Sequence, residues 1–245
     1  MPATMNQARE ILRDTFGFDD FRMQQAAVIE SVLNRQDAFV IMPTGGGKSL
    51  CYQIPALCFS GMTLVISPLI SLMNNQVQAL VQLGVESACF HSGLSNKERD
   101  RVLDDIREGH LKLLYVAPET VLSGYFQRAI ASTTISLIAI DEAHCVSQWG
   151  HEFRPEYQQI AQLRGMFAHT PWLALTATAD QKVQDDVAKQ LGLKDPAFFL
   201  SSFDRPNIKY SIAMREGNGI AQATQWIDQH YPQETGIVYC PRQKD

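Results

Sequence analysis

The sequence predicts an α/β fold: a mainly parallel, doubly wound sheet with helices on both faces. Short apolar runs rich in Val, Ile, Leu and Phe recur along the chain. They are too short for helices and apolar throughout, which is how strands covered on both faces read. Helical stretches separate several of them, and strand–helix alternation requires parallel pairing through crossovers. A glycine-rich loop follows the first run, where a parallel sheet binds its ligand.

The elements come in this order. Ala8, Ile11, Leu12 and Phe16 fall at helical spacing within Asn6–Phe16, and Gly17 ends that helix. A second helix is expected over Arg22–Leu33. Strands are expected at Ala38–Met42, Thr63–Ser67, Glu86–Phe90, Lys112–Val116, Ser136–Ile140, Trp172–Leu175 and Ala197–Leu200. Leu69–Leu83 reads as a helix stopped by Gly84. Ser95 with Glu98 makes a capping box for a helix that ends at Gly109. Asp180 caps another, which ends at Gly192. Asp204-Arg205-Pro206-Asn207 reads as a linker. Beyond it Ile208–Met214, a helix near Ile220–His230 and a strand at Gly236–Cys240 begin a new unit with too few elements for a core. The chain is therefore expected to stop in mid-domain.

Bulk properties narrow the class. A chain of 245 residues suits one large α/β domain, or one domain and the start of another. Hydrophobic residues at 45% and charged residues at 19% are ordinary for a soluble globular protein. No apolar run approaches the ~20 residues of a membrane span, and Met1–Glu10 lacks a basic region followed by an apolar stretch. The expectation is a cytoplasmic protein, nucleoid-associated if bacterial, with no membrane partner. The cysteines Cys51, Cys58, Cys89, Cys145 and Cys240 form no C-x-x-C pair, so neither disulfides nor zinc are expected and most thiols should be buried. A net charge of −5 does not announce a nucleic-acid binder. Any DNA binding then requires a local basic surface.

The strongest motif is Pro43-Thr44-Gly45-Gly46-Gly47-Lys48-Ser49, set between a strand and a helix. Glycines let the backbone turn sharply and aim N–H groups at phosphate oxygens, aided by the positive end of the next helix. In this reading Thr44 to Gly47 cradle the phosphates, Lys48 reaches the β and γ phosphates, and Ser49 gives its hydroxyl to Mg²⁺. Met42 stands where the strict motif has a first glycine. The second motif is Asp141-Glu142-Ala143-His144, at the end of the apolar run Leu137–Ile140. Asp141 can hold Mg²⁺ through its water shell, and Glu142 can orient and polarise the water attacking the γ phosphate. His144 and Cys145 stand as neighbours without further ligands. For His144 the expected role is to link the nucleotide site to the rest of the protein.

These motifs resemble superfamily 2 helicases and, more closely, the RecQ family, from about Arg9 to Gln243. The resemblance implies a RecA-like P-loop NTPase fold. It also implies residues 1–34 as N-terminal helices with an adenine-recognition segment, 35–203 as the first RecA-like domain, and 204–245 as a linker and the start of the second. Phe16 to Gln25 looks like the family's adenine segment, with Phe18 stacking on the base, Arg22 near the nucleotide and Gln25 bonding the adenine edge. Ser67 to Met73 resembles a motif that contacts DNA. Tyr115 to Glu119 resembles the next, and Leu175 to Ala179 one that links hydrolysis to domain movement. Ser147 to Tyr157 resembles the family's aromatic-rich loop, in which Trp149, His151, Phe153 and Arg154 couple DNA to the ATPase. Trp149 and Phe153 offer flat faces for bases, and Arg154 a stacking charge.

The resemblance implies an ATP- and Mg²⁺-dependent DNA helicase moving 3′→5′ on single-stranded DNA, acting on duplex DNA, and monomeric with unspecified protein partners. The chain alone is expected to bind ATP and not to unwind. The alternatives are a non-catalytic nucleotide- or DNA-binding module, and another superfamily 2 translocase or RNA helicase.

Overall fold

A computed structural model describes residues 3–150, 152–201, 208–215 and 217–239. The chain divides into two compact units, Met1–Phe203 and Asp204–Asp245. Two helices open the first unit, α1 (Met5–Asp14) and α2 (Gln25–Leu33). Strand β1 (Ala38–Ile41) leads through the glycine-rich loop into α3 (Leu50–Cys58). Then follow β2 (Met62–Ile66), α4 (Ile70–Gln82), β3 (Ser87–Phe90), α5 (Asn96–Glu108) and β4 (Leu113–Val116). Two short helices, α6 (Pro118–Val121) and α7 (Gly124–Ile130), precede β5 (Ile135–Ile140). A 3-10 turn over Ala143–Val146, α8 (Pro155–Gln159) and a second 3-10 turn over Ile160–Gly165 lead to β6 (Trp172–Thr176), α9 (Gln181–Gln190) and β7 (Ala197–Leu200). In the second unit α10 (Gly219–His230) is the one regular element among the described residues.

The strands lie in the order β3-β4-β2-β5-β6-β1-β7, and every pairing between them is parallel. All their C-terminal ends therefore share one edge. Side chains alternate between the faces of a pleated strand, and the core divides accordingly. Phe39, Ile41, Leu64, Ile66, Ile138, Ile140 and Trp172 pack on one face. Ala38, Val40, Val65, Leu137, Ala139, Leu173 and Leu175 pack on the other. Both faces are covered, which is why the strands are apolar without alternation.

One buried charge braces the far end of the sheet. Asp37, just ahead of β1, accepts from Arg164 Nη2 at 2.5 Å, Trp172 N at 2.8 Å and Lys194 N at 2.8 Å. It so ties β1 to β6 and to the turn before β7. The Arg164 guanidinium also lies 4.1 Å from the Trp172 ring centroid.

Ser95 and Glu98 form the expected capping box, and Gly109 closes α5 in the left-handed region. Three expectations change. The second helix starts at Gln25 rather than Arg22, because the Gln25 side chain turns back to accept the Arg22 N–H at 2.8 Å while Met23 takes a positive φ. The segments between β4 and β5 and between β5 and β6, for which no element is expected, hold short helices. The strand expected at Gly236–Cys240 does not form over its described residues, 236–239. No neighbour among the described residues of that unit offers them a ladder, and an isolated strand leaves its N–H and C=O groups unpaired. The expected linker Asp204–Asn207 and Cys240 lie outside the described residues. Among the described residues no helix is long and apolar enough to cross a membrane.

Candidate active site

The glycine-rich loop springs from the C-terminal end of β1. Its first turn is closed by Gly46 N donating to Pro43 O at 2.9 Å. Gly47 takes φ +77°, and a Cβ there would collide with the Gln25 amide. Only glycine meets both conditions. Gln25 is buried and braces the loop from beneath, its Nε2 donating to Gly47 O at 3.0 Å and Gly46 O at 3.4 Å. Both ends of that amide are thus engaged within the chain. Lys48 bends back over the loop, with Nζ donating to Met42 O at 3.0 Å. Ser49 precedes α3 without its hydroxyl capping the helix. Thr44 and Gly45 are exposed at the loop tip. Phe18, Arg22 and Asp20 face the three glycines across a cavity of about 130 Å³, with the Arg22 guanidinium 5.6 Å from the Phe18 ring centroid.

The acidic motif leaves the same edge of the sheet from β5, with β6 between it and β1. Asp141 N continues the ladder to Ile66 O at 2.9 Å, which fixes the carboxylate at the strand tip. Burial pushes the Asp141 carboxyl up to about 6, and the charge of Glu142 adds to this. The Glu142 N–H, Lys48 and His144 pull it back. The charge of Lys48, far away in sequence, thus reaches Asp141. Glu142 adopts φ 49° and ψ 45°, a left-handed conformation that costs a non-glycine residue on the order of 1 kcal/mol and recurs at functional sites.

His144 is buried behind Glu142. Its Nδ1 lies 2.8 Å from Thr176 Oγ1 at the end of β6 and 3.3 Å from Glu142 Oε2. Burial lowers its basicity, but hydrogen bonds to Cys145 and Glu142 outweigh burial and carry it up to about 9. The Thr176 hydroxyl donates to Thr178 O at 3.2 Å, so its oxygen accepts from the ring N–H at Nδ1.

After the 3-10 turn the chain loops out and returns, closed by Arg154 N donating to Cys145 O at 2.9 Å. Trp149 is 63% exposed on this loop. Lys182 Nζ lies 3.1 Å from its ring centroid, and Ser147 Oγ donates to Asp186 at 2.7 Å. These two supports from α9 escape the sequence reading. Their signal is the spacing of Lys182 and Asp186, one helical turn apart on one face. Phe153 and Arg154 are half-buried, and Arg154 Nη1 reaches Pro68 O at 3.3 Å. Ser67 is buried, its hydroxyl meeting no hydrogen-bond partner among the described residues. His151 lies outside them.

One expectation is overturned. The sequence offers His144 and Cys145 no further metal ligand, and zinc is not expected. The loop closure at Arg154 brings Glu152 back beside them, and the ligand atoms of His144, Cys145 and Glu152 all lie within 4.8 Å of one another. A candidate metal-binding cluster therefore exists.

A profile described as DEAD/DEAH box helicase matches residues 22–187. The chain belongs to the DEAD/DEAH box helicase family. Among curated relatives of this helicase-family chain, the ATP-dependent DNA helicase RecQ of Haemophilus influenzae is 47% identical over 233 residues, covering 95% of this chain and 37% of that protein. The probable ATP-dependent DNA helicase RecS of Bacillus subtilis is 43% identical over 243 residues, covering 98% of this chain and 48% of that protein. The expected RecQ likeness is borne out over nearly the whole chain, which spans less than half the length of these relatives. In three dimensions, the helicase domain of Pyrococcus furiosus Hef matches with a TM-score of 0.61 at 21% identity, over 80% of this chain and 40% of that one. The DUF1998 helicase MrfA bound to DNA gives 0.66 at 18% identity, over 82% and 30%. At these identities the likeness speaks for the fold, which is RecA-like as expected.

Proposed function

We propose that this chain is the ATP-binding motor portion of a RecQ-like DNA helicase. The whole protein would couple ATP hydrolysis to movement along single-stranded DNA and to duplex unwinding, with 3′→5′ polarity carried by resemblance alone. The observation that carries the reading is the delivery of Lys48, after β1, and Asp141, at the tip of β5, to one edge of the parallel sheet. Lys48 would exchange its bond to Met42 O for the β and γ phosphates. Ser49 and Asp141 would hold the hydrated Mg²⁺, which supplies charge neutralisation at the phosphates. Glu142, held in its left-handed conformation, would orient the attacking water, and His144 would fix Glu142 from behind. Phe18 and Arg22 border the cavity open to the base.

Phosphate release with and without single-stranded DNA tests the reading. Lys48→Ala is expected to remove Mg–ATP binding. Glu142→Gln is expected to keep binding and lose turnover by about 10²–10⁴-fold. Unchanged ATP affinity in Lys48→Ala, measured by calorimetry with Mg²⁺ in excess, would overturn it.

A further inference from the structure

We propose that His144, Cys145 and Glu152 bind a single Zn²⁺ ion, distinct from the magnesium that would accompany ATP. The inference stands on geometry and does not depend on the proposed function.

The bite of the first two ligands fits. His144 Nε2 and Cys145 Sγ are 3.7 Å apart. A tetrahedral zinc with Zn–N near ~2.0 Å and Zn–S near ~2.3 Å spans about 3.5 Å between those atoms. The Glu152 carboxylate lies within 4.8 Å of both, on an exposed side chain, which can swing the remaining ångström or so without disturbing the core. The fourth position is left for water. A cavity of about 210 Å³, lined by His144, Trp149, Gly150, Thr178, Asp180 and Val183, borders the histidine.

The surroundings orient the histidine as a zinc ligand requires. Nδ1 is committed to Thr176 Oγ1 and to Glu142 Oε2, which turns Nε2 toward Cys145. A ligating imidazole whose other nitrogen is held by a carboxylate or hydroxyl is the common outer shell of protein zinc sites. Thiolate and imidazole together select zinc over magnesium, whose preference is for oxygen donors. Binding takes the thiolate and a bare Nε2, so it releases protons to the buffer.

The loop is built to bring the third ligand in. Arg154 N closes onto Cys145 O at 2.9 Å. A Cβ on Gly150 would collide with the His144 carbonyl, so only glycine allows the return path this close. An ion bridging Glu152 to His144 would fasten the loop bearing Trp149 and Arg154 to the acidic motif.

Cobalt(II) replaces zinc isostructurally and reports thiolate ligation by a near-ultraviolet charge-transfer band, so the whole chain is titrated with Co²⁺ and then with competing Zn²⁺. The expected result is one equivalent of Co²⁺, displaced by Zn²⁺ and not by excess Mg²⁺. The band should be lost in Cys145→Ser and kept in Cys58→Ser, Cys89→Ser and Cys240→Ser. Glu152→Ala, a surface change that leaves the core intact, should weaken Co²⁺ binding about 10–100-fold, and it carries the test if Cys145→Ser fails to fold. No band in the unaltered chain, a band that survives Cys145→Ser, or full affinity in Glu152→Ala would each overturn the proposal.

Discussion

The Nδ1 nitrogen of His144 sits 2.8 Å from the Thr176 hydroxyl, joining the end of β5 to the end of β6. The same ring lies 3.3 Å from Glu142. A shift of the β6 tip therefore reaches the residue proposed to orient water through one imidazole. The Thr176 oxygen also accepts from Thr178 N at 3.3 Å, so it organises its own turn while holding the histidine.

Thr176→Val removes that oxygen and leaves the rest of the volume. A buried ring N–H that loses an acceptor costs about 1–3 kcal/mol. ATP turnover is expected to fall about tenfold, or ~1.4 kcal/mol in barrier, with little change in Mg–ATP affinity. Thr176→Ser should restore it. Separate measurement of kcat and ATP Kd checks this, and an equal loss in both would place Thr176 in the fold rather than in the relay.

Trp149 offers its ring to solvent at 63% exposure while Lys182 sits on its face. A flat aromatic beside a cation is a platform for an unpaired base and its phosphate. Trp149→Ala should spare the basal ATPase. Single-stranded DNA affinity should weaken by ~1–3 kcal/mol, as the loss of one stacked base predicts. Fluorescence anisotropy with a labelled oligonucleotide measures it, and the loss should persist at high salt, where a purely ionic contact fades.

The Asp141 carboxyl titrates near 6 in the fold, against 3.8 for an ordinary aspartate, chiefly because it is buried. Between those values the folded chain binds more protons than the unfolded one. Stability from this group is therefore greatest at low pH, falls as pH rises through roughly 4 to 6, and stays lowered above. Asp141→Asn removes the penalty while keeping an oxygen for the Glu142 N–H. It should stabilise the chain at pH 7 by on the order of 3 kcal/mol and flatten that part of the pH profile. Urea unfolding at pH 4.5 and pH 7 tests both statements.

Where a residue's neighbours are set by strand order, the sequence already carries them. Val40, Leu64 and Ile138 read as strand residues because helices cover both faces, and Lys48 and Asp141 read as a pair because parallel strands deliver their tips to one edge. Pro118 and Pro155 each begin a helix, but helices of one turn are too short to show a period in the sequence. The meeting of Glu152 with His144 and Cys145 follows from the closure of a loop, with Gly150 N on Ser147 O and Arg154 N on Cys145 O. No spacing rule reports a loop closure of that kind. Gln25 is legible as an amide before the glycine loop, but its turn beneath Gly47 depends on the positive φ of Met23.

Asp37 is the site where stability rather than chemistry is concentrated. Its carboxylate gathers four N–H groups, two from Arg164 and one each from Trp172 and Lys194. Both charged side chains are largely buried, at 5% and 14% exposure. Removing one partner of a buried pair costs about 3–5 kcal/mol because the other charge stays uncompensated. Asp37→Ala should lose that much in urea unfolding, with β6 and the turn before β7 losing amide protection first. Asp37→Asn can still accept one N–H on its oxygen and should lose less. Arg164→Met keeps the stem over Trp172 and drops the charge, and in the Asp37→Ala background it should recover part of the loss. Strict additivity of those two substitutions would mean that the pair does not act as a unit.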